Sequence, residues 1–252
     1  MDQSNGKPLE GKRVLITGAA RRVGAEIARH LHRAGMDVVI HYRSSRDEAE
    51  LLARELNAAR AGSAGLVQGD LLDTASLPRV ADDARAVFGS VDVLVNNASS
   101  FYPTPLGGIT EQHWDDLMGS NLKAPLFLSQ ALAPELTARG GCIVNIVDIH
   151  AMRPLKGYPV YCVAKAGLWM LTQSLARELG PKVRVNGIAP GAILWPEAEE
   201  NSVSHEEMIR RTALKREGSP ADIARTTLFL VRDADYITGQ IIPVDGGRTI
   251  GQ

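Results

Sequence analysis

From residue 13 to residue 244, short apolar runs alternate with longer stretches of helical periodicity, and this alternation leaves few architectures open. Arg13–Thr17, Asp37–His41, Gly65–Gln68, Val91–Asn96, Cys142–Val147, Val183–Ala189 and Gln240–Val244 read as strands. Helical patterns cover 23–34, 45–60, 74–88, 161–178 and 219–231, with Thr74 and Ser219 as caps. One more runs over 110–138, interrupted near Asn121 to Pro125. Strands this apolar need cover on both faces, so the pattern predicts an α/β fold built on a parallel sheet. Right-handed crossovers make that sheet doubly wound. No linker, repeat or low-complexity segment divides 1–252, which reads as a single domain. The one irregular insertion is 194–217, polar and rich in Glu. It reads either as a substrate flap at the carboxyl edge of the sheet or as a plain surface helix.

Composition removes several classes of function. A net charge of −1 gives no global attraction to nucleic acid or an anionic membrane. No apolar run reaches the ~20 residues that span a bilayer. Residues 1–12 are polar, without the apolar centre of a signal peptide. Cys142 and Cys162 show no metal-ligand spacing, so no metal is expected; they read as reduced thiols in a cytoplasmic protein. Cys162 adjoins Tyr161 and reads as a packed small residue or a reactive thiol.

The turn after the first strand, Thr17-Gly-Ala-Ala-Arg-Arg-Val-Gly24, leads into a helix. Gly18 and Gly24 permit a tight turn and close packing, and the helix start, with Val23 in its first turn, offers free amides to a pyrophosphate. Arg21 and Arg22 add cations there, which a phosphate-rich ligand uses and a structural turn does not. An NAD site carries an acid about 20 residues beyond such a loop. Here the second strand ends His41-Tyr42-Arg43-Ser44-Ser45, a cation and two hydroxyls suited to a 2′-phosphate, so the expected cofactor is NADPH. Arg43 is otherwise a solvated loop residue. Asp70 and Leu71 follow strand three, where an adenine can rest; Asn97, Ala98 and Ser99 follow strand four; Pro190 and Gly191 follow strand six. All lie at carboxyl ends of strands, the ligand edge of such sheets.

Tyr161 and Lys165 are four apart at the start of a helical run, so both occupy one face. A lone phenol titrates near pH ~10. A fixed ammonium nearby favours the phenolate, which suits the pair to general acid work beside a hydride donor. The spacing alone equally suits a Tyr and a Lys on a half-exposed helix.

Taken together, Thr17-Gly…Gly24, Asn96-Asn-Ala, Asn121, Tyr161-x-x-x-Lys165, Pro190-Gly191 and Asp245-Gly-Gly resemble the short-chain dehydrogenase/reductase family over essentially the whole chain. The resemblance implies a Rossmann-like fold and a homotetramer. It also implies Tyr161 as proton donor, Lys165 as ribose ligand and depressor of the Tyr161 pKa, and Asn121 as holder of a relay water. Arg22 stands where most members have a third Gly, and Asp148 where most have a Ser thirteen residues before the Tyr (161 − 13 = 148). This pair of departures, with Ser99-Ser-Phe101, looks like the pteridine reductase branch. There the Phe stacks on the pterin and the Ser touches cofactor and substrate.

The branch implies substrate contacts at Arg22, Ser99, Phe101, Asp148 and Tyr161. A flat pterin can lie between Phe101 and a nicotinamide, and its ring nitrogens need protons from Asp148 and Tyr161. Ionised, Asp148 would repel the oxyanion of a ketone substrate. Otherwise Asp148 reads as a strand-end cap and Phe101 as a core aromatic. Ile193 departs from the branch, where some members carry a polar residue; Trp195 either closes on the ligand or anchors the flap. The expected activity is NADPH-dependent reduction of a small pteridine, with oxidised pterins and dihydrofolate as further candidates. The competitors are a short-chain carbonyl reductase for a keto or 3-oxoacyl substrate and a cofactor-binding regulator without turnover.

Overall fold

The computed structural model describes residues 8–193, 207 and 209–250. Seven parallel strands form one sheet in the order β3-β2-β1-β4-β5-β6-β7. They are β1 (Arg13–Ile16), β2 (Asp37–Tyr42), β3 (Ala64–Gln68), β4 (Val93–Asn96), β5 (Cys142–Ile146), β6 (Arg184–Pro190) and β7 (Ile241–Val244). The expected doubly wound sheet is present. Strand order reverses between β1 and β4, so the loops leaving these two strands flank one crevice.

Side-chain parity explains why the strands read as continuous apolar runs. Val14 and Ile16 of β1 pack with α1 (Arg22–Arg33), α2 (Arg46–Ala59) and α7 (Pro220–Arg232). Leu15 between them points to the other face, against α3 (Leu77–Phe88) and α5 (Ala124–Arg139). Val39 and Leu94 share its face, and all three are fully buried. Each such side chain contributes about 2 kcal/mol by leaving water.

Several element ends differ from the sequence expectation, two of them for a clear local reason, and the expected helix interruption takes a specific form. Thr74 is not the cap before α3: Asp73 accepts from the Ala75 amide and starts a short 3₁₀ turn, Thr74–Ser76. Helix α6 (Pro159–Leu179) begins two residues ahead of Tyr161, because Pro159 suits a first helical turn. The interruption near Asn121 is a π-helical turn, Gly119–Lys123, joining α4 (Glu111–Met118) to α5. Ser219 does cap α7, its amide and hydroxyl both donating to Asp222 at 2.8 and 2.9 Å. Trp195 and residues 194–206 of the expected flap lie outside the described residues.

Candidate active site

A cavity of about 740 Å³ opens along the carboxyl edge of the sheet. At one end lies the β1–α1 turn, fastened from three directions. The Gly18 amide donates to His41 Nδ1 (3.2 Å), and Asn97 Nδ2 donates to the Thr17 and Gly18 carbonyls (2.9 and 3.1 Å). Thr17 Oγ1 accepts from the Asn97 and Ala98 amides at 2.9 and 3.0 Å. A Cβ on Gly24 would lie 2.6 Å from both Asn97 Nδ2 and the Gly18 oxygen, so only glycine lets the helix approach this closely. Arg22 holds a left-handed φ of 53°, the conformation a glycine adopts without strain. The first turn of α1 has no side-chain cap and no acid, leaving its amides for an anion.

Burial sets the chemistry of His41. Its Nε2 bonds to the Gly69 carbonyl (3.2 Å), which fixes the proton there and leaves Nδ1 as acceptor. Burial pushes its pKa down to about 4, so the ring is neutral at physiological pH.

At the other end, Asp148 lies two residues beyond β5, and its two oxygens serve different partners. Oδ1 accepts from the His150 amide at 2.7 Å, and Oδ2 accepts the Tyr161 hydroxyl at 2.8 Å. Asp148 is thus both cap and site residue. The Tyr161 pKa is raised well above 10, first by burial and then by the Asp148 charge and hydrogen bond. Burial and Asp148 outweigh any lowering by Lys165 here. Lys165 Nζ donates to the Ile146 carbonyl (2.9 Å) and lies 5.6 Å from the Tyr161 ring centroid. Burial brings the Lys165 pKa down to about 8, against an upward pull from Asp148.

Phe101 is not a core aromatic: it is half exposed, stacks on Tyr158 at 4.7 Å and meets Tyr161 edge-on at 4.8 Å.

The cavity wall brings together Gly18, Arg21, Arg22, Val23, Gly24, Tyr42, Arg43, Ser44, Ser45, Asp70 and Leu71 with Asn97, Ala98, Ser99 and Phe101. Asp148, Tyr161, Lys165, Pro190 and Gly191 complete the expected set. Asn121 does not join them. Its side chain is buried, donating to the Ser100 and Leu117 carbonyls at 3.0 Å and accepting from Ser99 Oγ at 2.6 Å. Buried within the π turn, that amide braces the loop after β4 and is not part of the cavity wall.

The sequence reading overlooked His41, His150, Tyr158 and Arg248 on the wall. His150 and Tyr158 stand close in sequence to Asp148 and Tyr161, which was an available signal. Arg248 carried none, since only the sheet order brings the chain end here.

Known proteins match this arrangement along nearly its whole length. The family described as Enoyl-(Acyl carrier protein) reductase matches residues 18–249. Pteridine reductase 1 of Leishmania tarentolae is 39% identical, over 94% of this chain and 96% of its own. A 3-oxoacyl-[acyl-carrier-protein] reductase of Staphylococcus epidermidis is 37% identical, over 94% and 98%. The crystal structure of a blue fluorescent protein from a metagenomic library, in complex with NADPH, superposes with a TM-score of 0.90 at 34% identity, covering 96% of this chain and 99% of that one. The chain is an oxidoreductase and belongs to the short-chain dehydrogenase/reductase family.

Proposed function

We propose that the protein is an NADPH-dependent reductase of pteridines. The observation that carries this reading is the 2.8 Å bond from the Tyr161 hydroxyl to Asp148 at the cavity wall. A carboxylate at that position opposes the oxyanion of a ketone, whereas ring nitrogens taking up protons are served by a phenol–carboxylate pair. The half-exposed ring of Phe101 adds a flat contact surface beside Tyr161.

The β1–α1 turn fits NADPH: its uncapped amides and Arg22 suit the pyrophosphate, and Arg43, Ser44 and Ser45 suit the 2′-phosphate. NADPH supplies the hydride when bound. Tyr161, held protonated by burial and by Asp148, donates to a ring nitrogen. Solvent replaces the proton that Tyr161 gives up, and Asp148 Oδ2, in hydrogen-bond contact with the phenol, lies in position to relay it. Lys165 is held by the Ile146 carbonyl and presents its remaining donors for the nicotinamide ribose.

A second reading, a 3-oxoacyl thioester reductase, is favoured by the relative that is 37% identical. One assay separates them: NADPH oxidation with dihydrobiopterin, with acetoacetyl thioester, and with no acceptor. Oxidation that depends on dihydrobiopterin is expected. Oxidation with the thioester alone would replace the pteridine reading, and oxidation with neither would point to a cofactor-binding regulator.

A further inference from the structure

Arg248 reaches the cavity from the far side. Beyond β7 the chain turns through Gly246 and Gly247, at φ 62° and 78°. Both Asp245 oxygens hold this turn, accepting from the Gly247 and Thr249 amides at 2.8 and 2.7 Å. Arg153 donates to the Thr249 carbonyl at 2.6 Å, and the Leu214 amide donates to the Gly246 carbonyl at 3.0 Å. The turn is therefore braced on both sides, and its position does not depend on the Arg248 side chain.

That side chain is half-buried in the cavity wall, and among the described residues its guanidinium makes no hydrogen bond or ion pair. Burial lowers its pKa and the Arg211 charge adds to this, while Asp148 and Asp245 pull the other way. Asp148 does not close on it, since the bonds of that carboxylate go to His150 and Tyr161. Asp245 is occupied by the turn. The guanidinium thus stands in the cavity wall with its donors open to solvent and uncommitted to protein acceptors, free to bind an anionic ligand.

The cofactor phosphates do not suit that role. Arg43 leaves the end of β2 and the β1–α1 turn leaves β1, five and four strand spacings from β7, about 24 and 19 Å at ~4.8 Å per spacing. Arg248 belongs instead to the Asp148 end. The geometry points to Arg248 as the receptor for an anionic substituent, a carboxylate or phosphate, on the pteridine substrate. A guanidinium fork takes either group through two parallel hydrogen bonds, whereas a neutral hydroxyl side chain offers it no counter-charge. This inference rests on the pteridine reading and names the substituent that the substrate carries.

The test compares the wild-type protein with R248M and R248K, using NADPH and three dihydropteridines. Dihydrofolate presents carboxylates, a dihydroneopterin phosphate presents a phosphate ester, and dihydrobiopterin carries no anion. The expected result is that R248M lowers kcat/KM for an anionic substrate, relative to dihydrobiopterin, by about 10- to 100-fold. The loss falls mainly in KM, and R248K recovers part of it. Whichever anionic substrate shows the larger effect distinguishes a carboxylate from a phosphate. Equal losses on all three, or none, would overturn the inference while leaving the pteridine reading intact. No turnover of any pteridine would remove both.

Discussion

At the scale of single residues, the chemistry turns on how one carboxylate is shared. Asp148 caps a turn with one oxygen and accepts the Tyr161 hydrogen bond with the other. Replacing Tyr161 with Phe removes the acid but leaves the β1–α1 turn untouched. Y161F is expected to lose at least about 100-fold in kcat while NADPH affinity, read by fluorescence titration, stays within threefold or so. Retention of most of the turnover would show that the phenol is not the donor. D148S tests the substrate class. It is expected to lower pteridine reduction by about 100-fold or more while carbonyl reduction is spared or raised. An equal loss on both would reduce Asp148 to its capping bond.

At the scale of elements, the approach of α1 to the sheet edge sets the shape of the cofactor turn. The atoms that a Cβ on Gly24 would meet are mostly backbone, Gly18 O at 2.6 Å and Ala19 Cα at 2.9 Å, so the turn itself must move. G24A is expected to cost about 1–3 kcal/mol in urea unfolding and to weaken NADPH binding by about tenfold, the equivalent of roughly 1.4 kcal/mol. Unchanged calorimetric affinity in that variant would mean that the turn does not cradle the cofactor. The π turn between α4 and α5 carries Asn121, whose buried amide holds the loop after β4. Glycine spacing revealed the first feature, whereas a π turn leaves no periodic trace in the sequence.

At the scale of the whole molecule, His41 makes folding depend on pH. The fold needs the neutral ring, because Nδ1 accepts from Gly18 and burial holds the pKa down to about 4. An unfolded imidazole titrates near ~6.5, so below that pH the unfolded chain binds the extra proton and stability falls with falling pH. Between pH ~7.5 and ~5 this residue alone should remove about 2 kcal/mol of unfolding free energy. His32, also depressed by burial, adds with the same sign. Urea titrations across that range should show the slope, and H41Q should flatten it; an unaltered slope would move the effect elsewhere.

The alternation of runs, the turn glycines, the basic end of β2 and the Tyr161–Lys165 spacing were legible in the sequence because each is carried by neighbours along the chain. Periodicity and local backbone chemistry were enough to determine the doubly wound sheet and its ligand edge. Only tertiary structure decided that Tyr161 bonds to Asp148, that Asn121 is buried, and that Arg248 stands in the cavity wall. Those outcomes depend on side-chain direction and on contacts between distant segments, such as Asn97 on Thr17 and the Arg153 hold on Thr249, which strand order creates and no local pattern encodes.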